Sequence, residues 1–299
     1  MGGTRNWRVS KDDATYDGCW TEDAPTWRFF RHDPIRWRVL KVKGGIALVV
    51  SDVALDARRY NEEFTSVTWA TSSVRSWLNG YGAESNQPGV DFVGRGFVDA
   101  AFSVGQRAAV LDTRVANVDS RRYGTYGGEG TTDRVFLLSE ADVCGATATT
   151  HGFVADGGVC DEARRCEASD YARAMGAYRS DFGNSEGNCW WWLRSPGDGQ
   201  INAAGVCLDG HVYRYGLSVR SGGAAVRPAL NLDPSSSRNL ICSSLSYGIA
   251  SETTRTDTAT WRMGLHHLCA RSRHVRGRRT AWKAVRLWTG DCPDCRWLS

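Results

Sequence analysis

The chain has 299 residues, of which 41% are hydrophobic and 23% charged, and its formal net charge is +4. This length allows one large core with an appended segment. No run of about eighteen apolar residues occurs, which excludes a membrane-spanning helix by sequence. Basic residues outnumber acidic ones from 238 to 299, with a cluster at 270–279, and the remainder of the chain is close to balanced, so specific nucleic-acid binding by the main body is not expected.

The N-terminal stretch MGGTRNWRVSKDD has no apolar core after its basic residues, so no secretory signal peptide is expected in this chain. Residues 1–34 are polar with scattered aromatic residues and are interpreted as a poorly defined lead-in segment. The first clear unit is IRWRVLKVKGGIALVVS at 35–51. Apolar and basic residues alternate before Gly44–Gly45, and this pattern predicts a β-hairpin with one buried face.

A helix is predicted within TWATSSVRSWLNGYG at 68–82. Thr71 or Ser72 can cap it, and Val74, Trp77 and Leu78 then fall on one face. Asn79-Gly80 supplies the C-terminal stop. A core role for that face is the favoured interpretation.

The middle of the chain gives weaker signals. Residues 93–112 are ambiguous between a short helix and loops, and the Gly-rich loop at 120–133 lacks the Gly-Lys-Ser/Thr ending of a phosphate-binding loop. RVFLLS at 134–139 predicts a short buried strand, and Ser139 before Glu-Ala-Asp predicts a helix cap. One further helix is expected around YARAMGAYR.

The segment from 190 to 232 predicts a small twisted β-sheet. Residues 190–193 form an apolar strand, Asp209-Gly210 turns between two further strands, and 226–232 forms a closing strand. Four valines recur along this segment, namely Val206, Val212, Val219 and Val226, and we expect them to be buried as apolar pins. The residues between these valines are expected to face outward.

The composition changes after Asp233, first to a Ser/Thr-rich stretch and then to an Arg/Trp-rich end. We therefore expect three parts, namely the lead-in at 1–34, a domain at 35–233 and a basic Trp/Arg-rich extension at 234–299. Whether the extension folds or is disordered is left open. Its basic cluster could contact phosphates, although solvated surface charge is the simpler interpretation.

The ten cysteines have irregular spacing, which favours mostly free thiols over a disulfide framework. Cys160 and Cys166 are the pair to examine for a local bridge. One set in the extension has the ligand types of a zinc site: His266 or His267, Cys269, Cys292 and Cys295. Its spacing is not that of a standard zinc finger, so unrelated residues are the favoured interpretation.

Five motifs in order carry a resemblance over residues 35–232: IRWRVL, TWATSSVRSWLNG, TTDRVFLLSEADV, WWLRSPG and VRPALNL. Together they resemble an uncharacterised domain family of bacterial and phage proteins. That family is similar to the C-type lectin-like fold of the formylglycine-generating-enzyme type, and some members are variable proteins of diversity-generating retroelements. The resemblance implies an α+β fold with short helices and a small twisted antiparallel sheet.

In such retroelement systems, adenine-directed mutagenesis rewrites selected codons late in the domain, and the varied side chains contact a ligand. The resemblance therefore implies a ligand-binding variable surface between the valine pins. Its residues are Cys207, Leu208, His211, Tyr213, Arg214, Tyr215, Leu217, Ser218, Arg220 and Ser221. All ten residues are of types that can be reached by changing adenines in an asparagine codon, whereas Gln200 is not. Ordinary half-exposed strand residues remain the alternative for Tyr213 and Tyr215, although binding surfaces favour Tyr and Arg.

Catalysis is not expected, because the six histidines are scattered and none lies in a nucleophile-elbow context. Formylglycine-generating enzymes use late cysteines, but the surroundings of Cys189 and Cys207 match no pattern that can be carried over. The chain has QPG at 87–89 and no Glu-Pro-Asn or Gln-Pro-Asp triplet, which makes a calcium-mediated sugar site unexpected. No cofactor and no metal are therefore expected.

The leading hypothesis is a non-enzymatic recognition or attachment protein of a bacterium or phage that displays a diversified surface. Its partner would be a protein or glycan ligand, at a cell surface or on a phage particle, and its oligomeric state is left open. Two alternatives remain at this point. One is an oxidase of the formylglycine-generating type, which a cysteine pair with depressed pKa in one cleft would favour, and the other is a structural phage assembly protein.

Overall fold

The computed structural model describes residues 6–15, 20, 27–31, 33–181 and 183–234, together with three short stretches at 262–263, 268–269 and 284–287. The described chain combines short helices with several mainly antiparallel sheets, so it is an α+β protein as expected. The proposed zinc set in the extension and the basic cluster at 270–279 lie outside the described residues, apart from the backbone of Cys269.

The N-terminal part differs from the poorly defined lead-in that its composition indicates. β1 (Asn6–Ser10) pairs antiparallel with β2 (Trp27–Arg31). Val9 and Trp20 are buried in the main core, and the Trp20 indole N–H donates to the carbonyl of Ala174 at 2.9 Å. These few apolar side chains fix the segment, although they are too widely spaced in the sequence to form a recognisable pattern.

The predicted hairpin at 35–51 is confirmed, but its burial is not limited to one face, since Arg38 and Leu40 are buried as well as Trp37 and Val39. β3 (Ile35–Lys43) and β4 (Ile46–Ser51) pair antiparallel across Gly44 and Gly45, whose φ angles are +57° and +82°. A two-residue turn with positive φ at both positions matches the twist of the flanking strands, and glycine adopts it without a steric penalty.

Substitution of Gly45 tests this turn. Gly45→Ala is expected to lower the free energy of unfolding by about 1 kcal/mol, because a Cβ at positive φ is strained even where space is open. Gly199→Ala is the matched control, since no atom lies near its Cβ position and its φ is not in the left-handed region. Urea unfolding of both variants measures the difference, and equal stabilities would contradict the turn assignment.

A seven-stranded sheet is built on this hairpin. β4 also pairs antiparallel with the last strand of the domain, β13 (Ala229–Leu232), which pairs in turn with β8 (Val135–Phe136). On the other side, β3 pairs antiparallel with β16 (Ala284–Leu287). The sheet continues beyond β16 with β14 (Arg262–Met263) and β15 (Leu268–Cys269). The sheet therefore joins the beginning and the end of the domain.

The helices are short, and two of them begin at caps that the sequence predicts, Ser72 and Ser139. Within the described residues the α-helices are α1 (Ser73–Asn79), α2 (Phe97–Ala101), α3 (Val104–Arg107), α4 (Glu140–Cys144) and α5 (Asp170–Ala174). The Ser72 hydroxyl accepts from the N–H of Arg75 at the start of α1, and Gly80 ends it with φ +67°. The Ser139 side chain caps α4 in the same way. Short 3-10 turns lie at Lys11–Asp13, Trp69–Thr71, Ala83–Ser85, Ala148–His151 and Gly183–Ser185.

The second large sheet contains the late segment. Its strands are β5 (Asp56–Ala57), β9 (Trp191–Pro196), β10 (Asn202–Val206), β11 (Val212–Ser218) and β12 (Ala225–Val226), in the order β11-β10-β9-β12-β5. The β9–β12 pair is parallel and the other pairs are antiparallel. A separate two-stranded sheet pairs β6 (Thr113–Val115) with β7 (Thr131–Asp133).

The predicted closing strand at 226–232 is wrong as a single element. β12 belongs to the five-stranded sheet and β13 to the seven-stranded sheet, with Arg227 and Pro228 between them. Pro228 has no N–H for a ladder, while its carbonyl accepts from the N–H of Ser51. Arg227 is fully buried, and its Nε donates to the carbonyl of Ser51 at 3.0 Å. The chain therefore crosses between the two sheets at this dipeptide.

Candidate functional site

The β10–β11 hairpin is held from beneath by the valines that the sequence singles out. Val206, Val212, Val219 and Val226 are all buried, with at most 4% of each exposed. The expected Asp209-Gly210 turn joins the two strands, and Gly210 has φ +87°. The predicted burial of these four valines and the predicted Asp209-Gly210 turn are both confirmed.

The residues between the pins differ in their environments. Tyr215 and Arg220 are exposed, and seven are partly buried: Leu208, His211, Tyr213, Arg214, Leu217, Ser218 and Ser221. Cys207 is buried, with 3% of its surface exposed, and thus does not face outward as expected. Its backbone N–H donates to the carbonyl of His211, which folds the residue under the turn.

A row of aromatic rings crosses the outer part of this hairpin. Tyr213 lies edge-on to Trp190 with ring centroids 5.5 Å apart, and Tyr215 lies 6.1 Å from Tyr213. Tyr123 from the Gly-rich loop lies edge-on to Tyr215 at 6.3 Å. We call these four residues the aromatic row. Tyr215 is 52% exposed and Tyr123 is 39% exposed, so at least half of the row is open to a ligand.

Sequence reasoning did not include Trp190 or Tyr123 in the surface. Trp190 is the first of three consecutive tryptophans, and only the second and third are fully buried. The indole N–H of Trp191 donates to the backbone carbonyl of Arg164, and that of Trp192 donates to the backbone carbonyl of Arg58. Strand alternation does not separate the three, since a strand buried on both faces hides its period. Tyr123 reaches the row from a loop far away in sequence, and no local signal indicates that contact.

Arg214 is directed away from the aromatic row. Its Nε donates to the Glu140 carboxylate on α4 at 2.6 Å, and its NH2 nitrogen lies 3.5 Å from the Cys144 sulfur. Glu140 is only 7% exposed. This pairing attaches β11 to α4, so Arg214 supports the hairpin rather than forming part of the aromatic surface.

A polar cluster lies in the β10–β11 turn. The Cys207 sulfur is 3.0 Å from Nε2 of His211, and Nδ1 of His211 is 2.7 Å from one oxygen of Asp209. The Cys160 thiol donates to the other Asp209 oxygen at 3.1 Å. We call these four residues the turn cluster. Burial alone would raise the pKa of Asp209, but hydrogen bonds from Cys160 and His211 lower it to about 2. Burial and the Asp209 charge raise the pKa of the Cys207 thiol.

Arg164 anchors the turn from inside the protein. This side chain is fully buried, and all five of its N–H groups donate to backbone carbonyls. Nε donates to Gly210 at 2.6 Å. The remaining acceptors are Val143, Val154, Asp156 and Val159, at 2.6–3.1 Å. The guanidinium therefore joins the turn, α4 and the loop at 154–159, and it also lies 3.5 Å from the Asp161 carboxylate.

The five cysteines with described side chains are free thiols, as the irregular spacing predicts, and Cys160 and Cys166 do not form a local bridge. Cys160 and Cys166 are both free, since Cys160 is exposed beside Asp209 while Cys166 is buried next to Cys189. Burial alone would raise the pKa of the Cys166 thiol, but a hydrogen bond from Cys189 and the charges of Arg227 and Arg38 lower it. Cys166 and Cys189 are 2% and 0% exposed, so this pair does not line an open cleft.

A cleft of about 810 Å³ lies elsewhere in the domain. Its lining includes Phe30, Trp77, Phe97, Tyr171, Asp56 and Arg58, and none of the ten predicted surface residues. The Arg58 guanidinium lies over the Trp77 ring at 4.2 Å, and burial raises the pKa of Asp56 although Arg58 opposes it. Sequence reasoning did not indicate this cleft, because its walls come from five separate segments.

Comparison with models of protein families gives a match over most of the domain. The sequence profile of a domain family described as a domain of unknown function (DUF6273) matches residues 44–234, a range that runs from the Gly44–Gly45 turn past the end of β13. No curated protein and no solved structure matches the chain. Within the described residues, no helix is long and apolar enough to cross a membrane.

Proposed function

This chain belongs to the DUF6273 domain family, and on that premise we propose that it is a non-enzymatic ligand-binding protein whose contact surface is the aromatic row with its neighbours on the β10–β11 hairpin. The observation that carries this proposal is the row itself. Four rings from three separate segments meet at 5.5–6.3 Å above a hairpin whose underside is buried.

Physical reasons favour recognition by such a surface. Tyrosine and tryptophan offer large contact areas and lose few rotamers on binding, so they dominate many binding surfaces. The rings here also restrain one another through edge-on contacts, which lowers the entropic cost of binding further. Leu208, Ser218, Arg220 and Ser221 of the same late segment are at least partly exposed and would add polar and apolar contacts. A protein or a glycan ligand fits this mixture.

We further propose that the fold is C-type lectin-like and that the surface is diversified by a retroelement. Short helices around small twisted antiparallel sheets are compatible with that fold. The buried valines are compatible with diversification, because side chains between them can change while the backbone stays supported. Deep sequencing of codons 198–225 in a population tests this part of the proposal. Variation confined to positions between constant valines supports it, and uniform codons would remove it.

The binding surface itself is tested with glycan and protein arrays, followed by titration of the best ligand. The double variant Tyr213→Ala/Tyr215→Ala is expected to weaken binding at least tenfold, because it removes the two central rings of the row. Tyr178→Ala is the matched control, since Tyr178 is 45% exposed and has no ring contact with the row. Unchanged affinity in the double variant, with a normal circular dichroism spectrum, would contradict the proposed surface.

The alternative of a formylglycine-generating-type oxidase requires a thiol that a partner protein can reach. Cys166 has the lowered pKa that this chemistry favours. Its sulfur is nevertheless enclosed beside Cys189 and the buried arginines, and a partner cysteine could reach it only if the sheet opened. The geometry therefore favours binding over oxidation.

A further inference from the structure

We propose that the turn cluster is a binding site for a zinc-type divalent transition-metal ion. Donor atoms of Cys207, Asp209 and His211 all lie within 4.8 Å of one another, and Cys160 hydrogen-bonds to Asp209 as a fourth donor residue. The site does not depend on ligand binding by the aromatic row, but it requires Cys207 and His211, which the diversified-surface proposal counts among its varied positions. The metal site therefore belongs to this sequence rather than to every variant, and the sequence alone does not predict it.

The donor types select the class of ion. A thiolate, an imidazole and a carboxylate are the ligands that zinc takes in proteins, whereas calcium and magnesium take oxygen ligands almost entirely. In tetrahedral zinc sites with bonds of about 2.0–2.3 Å, neighbouring ligand atoms lie roughly 3.3–3.8 Å apart. The sulfur of Cys207 and Nε2 of His211 are 3.0 Å apart, so a small separation of the two would admit the ion.

The histidine is already oriented as a metal ligand would be. Its Nδ1 faces Asp209 at 2.7 Å, which leaves Nε2 directed at the Cys207 sulfur. Metal-binding histidines commonly use one ring nitrogen for the ion and the other for a carboxylate, which fixes the tautomer and the ring plane. With the ion at Nε2, Asp209 serves as the group that orients the ring through Nδ1; Asp209 can be a ligand itself only if that hydrogen bond is given up.

The backbone around the cluster is held in place without an ion. The Gly210 carbonyl accepts from buried Arg164, and the Asp209 carbonyl lies 3.3 Å from Nε of Arg165. These two cations also offset the negative charge that two thiolates and a carboxylate would carry together. The side chains of Asp209 and His211 are 37% and 38% exposed, and Cys160 is exposed as well. An ion can therefore enter from solvent and meet Cys207 at the base of the site.

The same contacts resemble a thiol–imidazole–carboxylate arrangement for nucleophilic catalysis. A nucleophile must reach a substrate carbon, and the Cys207 sulfur lies under the turn in a residue that is only 3% exposed. A metal ion needs only a single lone pair on that sulfur. Burial thus favours ion binding over attack on a substrate.

The test measures metal content and a spectroscopic probe on the full chain. After purification without chelator, elemental analysis is expected to find one equivalent of zinc per chain, and the variants below test whether it lies at the turn cluster. Cobalt(II) added to protein stripped of metal should produce thiolate-to-cobalt charge-transfer absorption, which zinc then abolishes. The variants Cys207→Ser and His211→Gln should each reduce the cobalt absorption at least tenfold at equal metal concentration. Cys160→Ser and Asp209→Asn alter exposed side chains, so they test the site even if Cys207→Ser fails to fold.

The C-terminal cysteines require their own control, because they also offer thiolate ligands. The double variant Cys292→Ser/Cys295→Ser should keep the turn-dependent cobalt absorption and one equivalent of zinc. Retention of that absorption in folded Cys160→Ser, Asp209→Asn and His211→Gln would overturn the proposal. So would its complete loss in the C-terminal variant, or its absence from the unmodified protein.

Discussion

Replacement of Arg164 by methionine is expected to lower the free energy of unfolding by roughly 3–5 kcal/mol. The substitution keeps a long apolar stem but removes all five N–H donors of the fully buried guanidinium. The carbonyls that these donors reach, including those of Gly210 and Val154, would then lie in the interior with fewer partners. Buried polar groups that lose their partners are among the most destabilising changes in proteins. Urea unfolding followed by tryptophan fluorescence measures the effect.

Arg165→Met is the matched control for this prediction. Arg165 is the next residue, but its side chain is 25% exposed and its contacts are long, at 3.3 Å to Asp209 and 3.9 Å to Glu162. A change of less than about 1 kcal/mol is expected there, as for other exposed ion pairs. If the two variants lost the same stability, the anchoring role of Arg164 would be disproved.

Asp133→Asn is expected to lower the free energy of unfolding by about 3 kcal/mol. Asp133 is fully buried on β7, where one oxygen accepts from Nε of Arg75 at 2.7 Å and the other from the Trp69 indole at 2.9 Å. An asparagine has one oxygen, so its NH2 group would face one of these donors. Arg75, whose side chain is 12% exposed, would also lose its counter-charge.

The same chemical change at Asp112 provides the comparison. Asp112 pairs with Arg134 at 3.0 Å, but the side chains are 65% and 47% exposed. Solvent screens such a pair, so Asp112→Asn should cost less than about 1 kcal/mol. Thermal unfolding of the two variants at low and high salt measures both effects. A larger loss at Asp112 than at Asp133 would contradict the assignment of the buried ion pair as a structural link.

Local patterns were sufficient for some parts of this fold. The spacing of Val74, Trp77 and Leu78 predicted the buried face of α1, and Ser72 and Gly80 predicted its ends. These features depend on residues within one or two turns of each other, and a single sequence displays them directly. The buried valines of the late hairpin are predictable for the same reason.

Other features depend on contacts between distant segments. Arg164 lies in the charged stretch DEARRCEA, which is typical of an exposed surface, and it is buried only because three segments direct their carbonyls at it. Tyr123 joins the aromatic row across a long sequence separation. Cys207 and His211 were predicted as members of an outward surface, yet the turn brings their side chains onto each other. None of these contacts has a local signature.

The pairing of β13 with β4 has a consequence for how the chain folds. Val49 and Val50 pair with Leu230 and Ala229, so partners from nearly opposite ends of the domain must meet. While the chain is synthesised, β4 can pair with β3 at once, but its other edge stays open until β13 has left the ribosome. An apolar strand edge of this kind invites association with other chains. Folding dominated by such distant contacts is slow, so the β4 edge is the part of the nascent domain that is exposed longest to association with other chains.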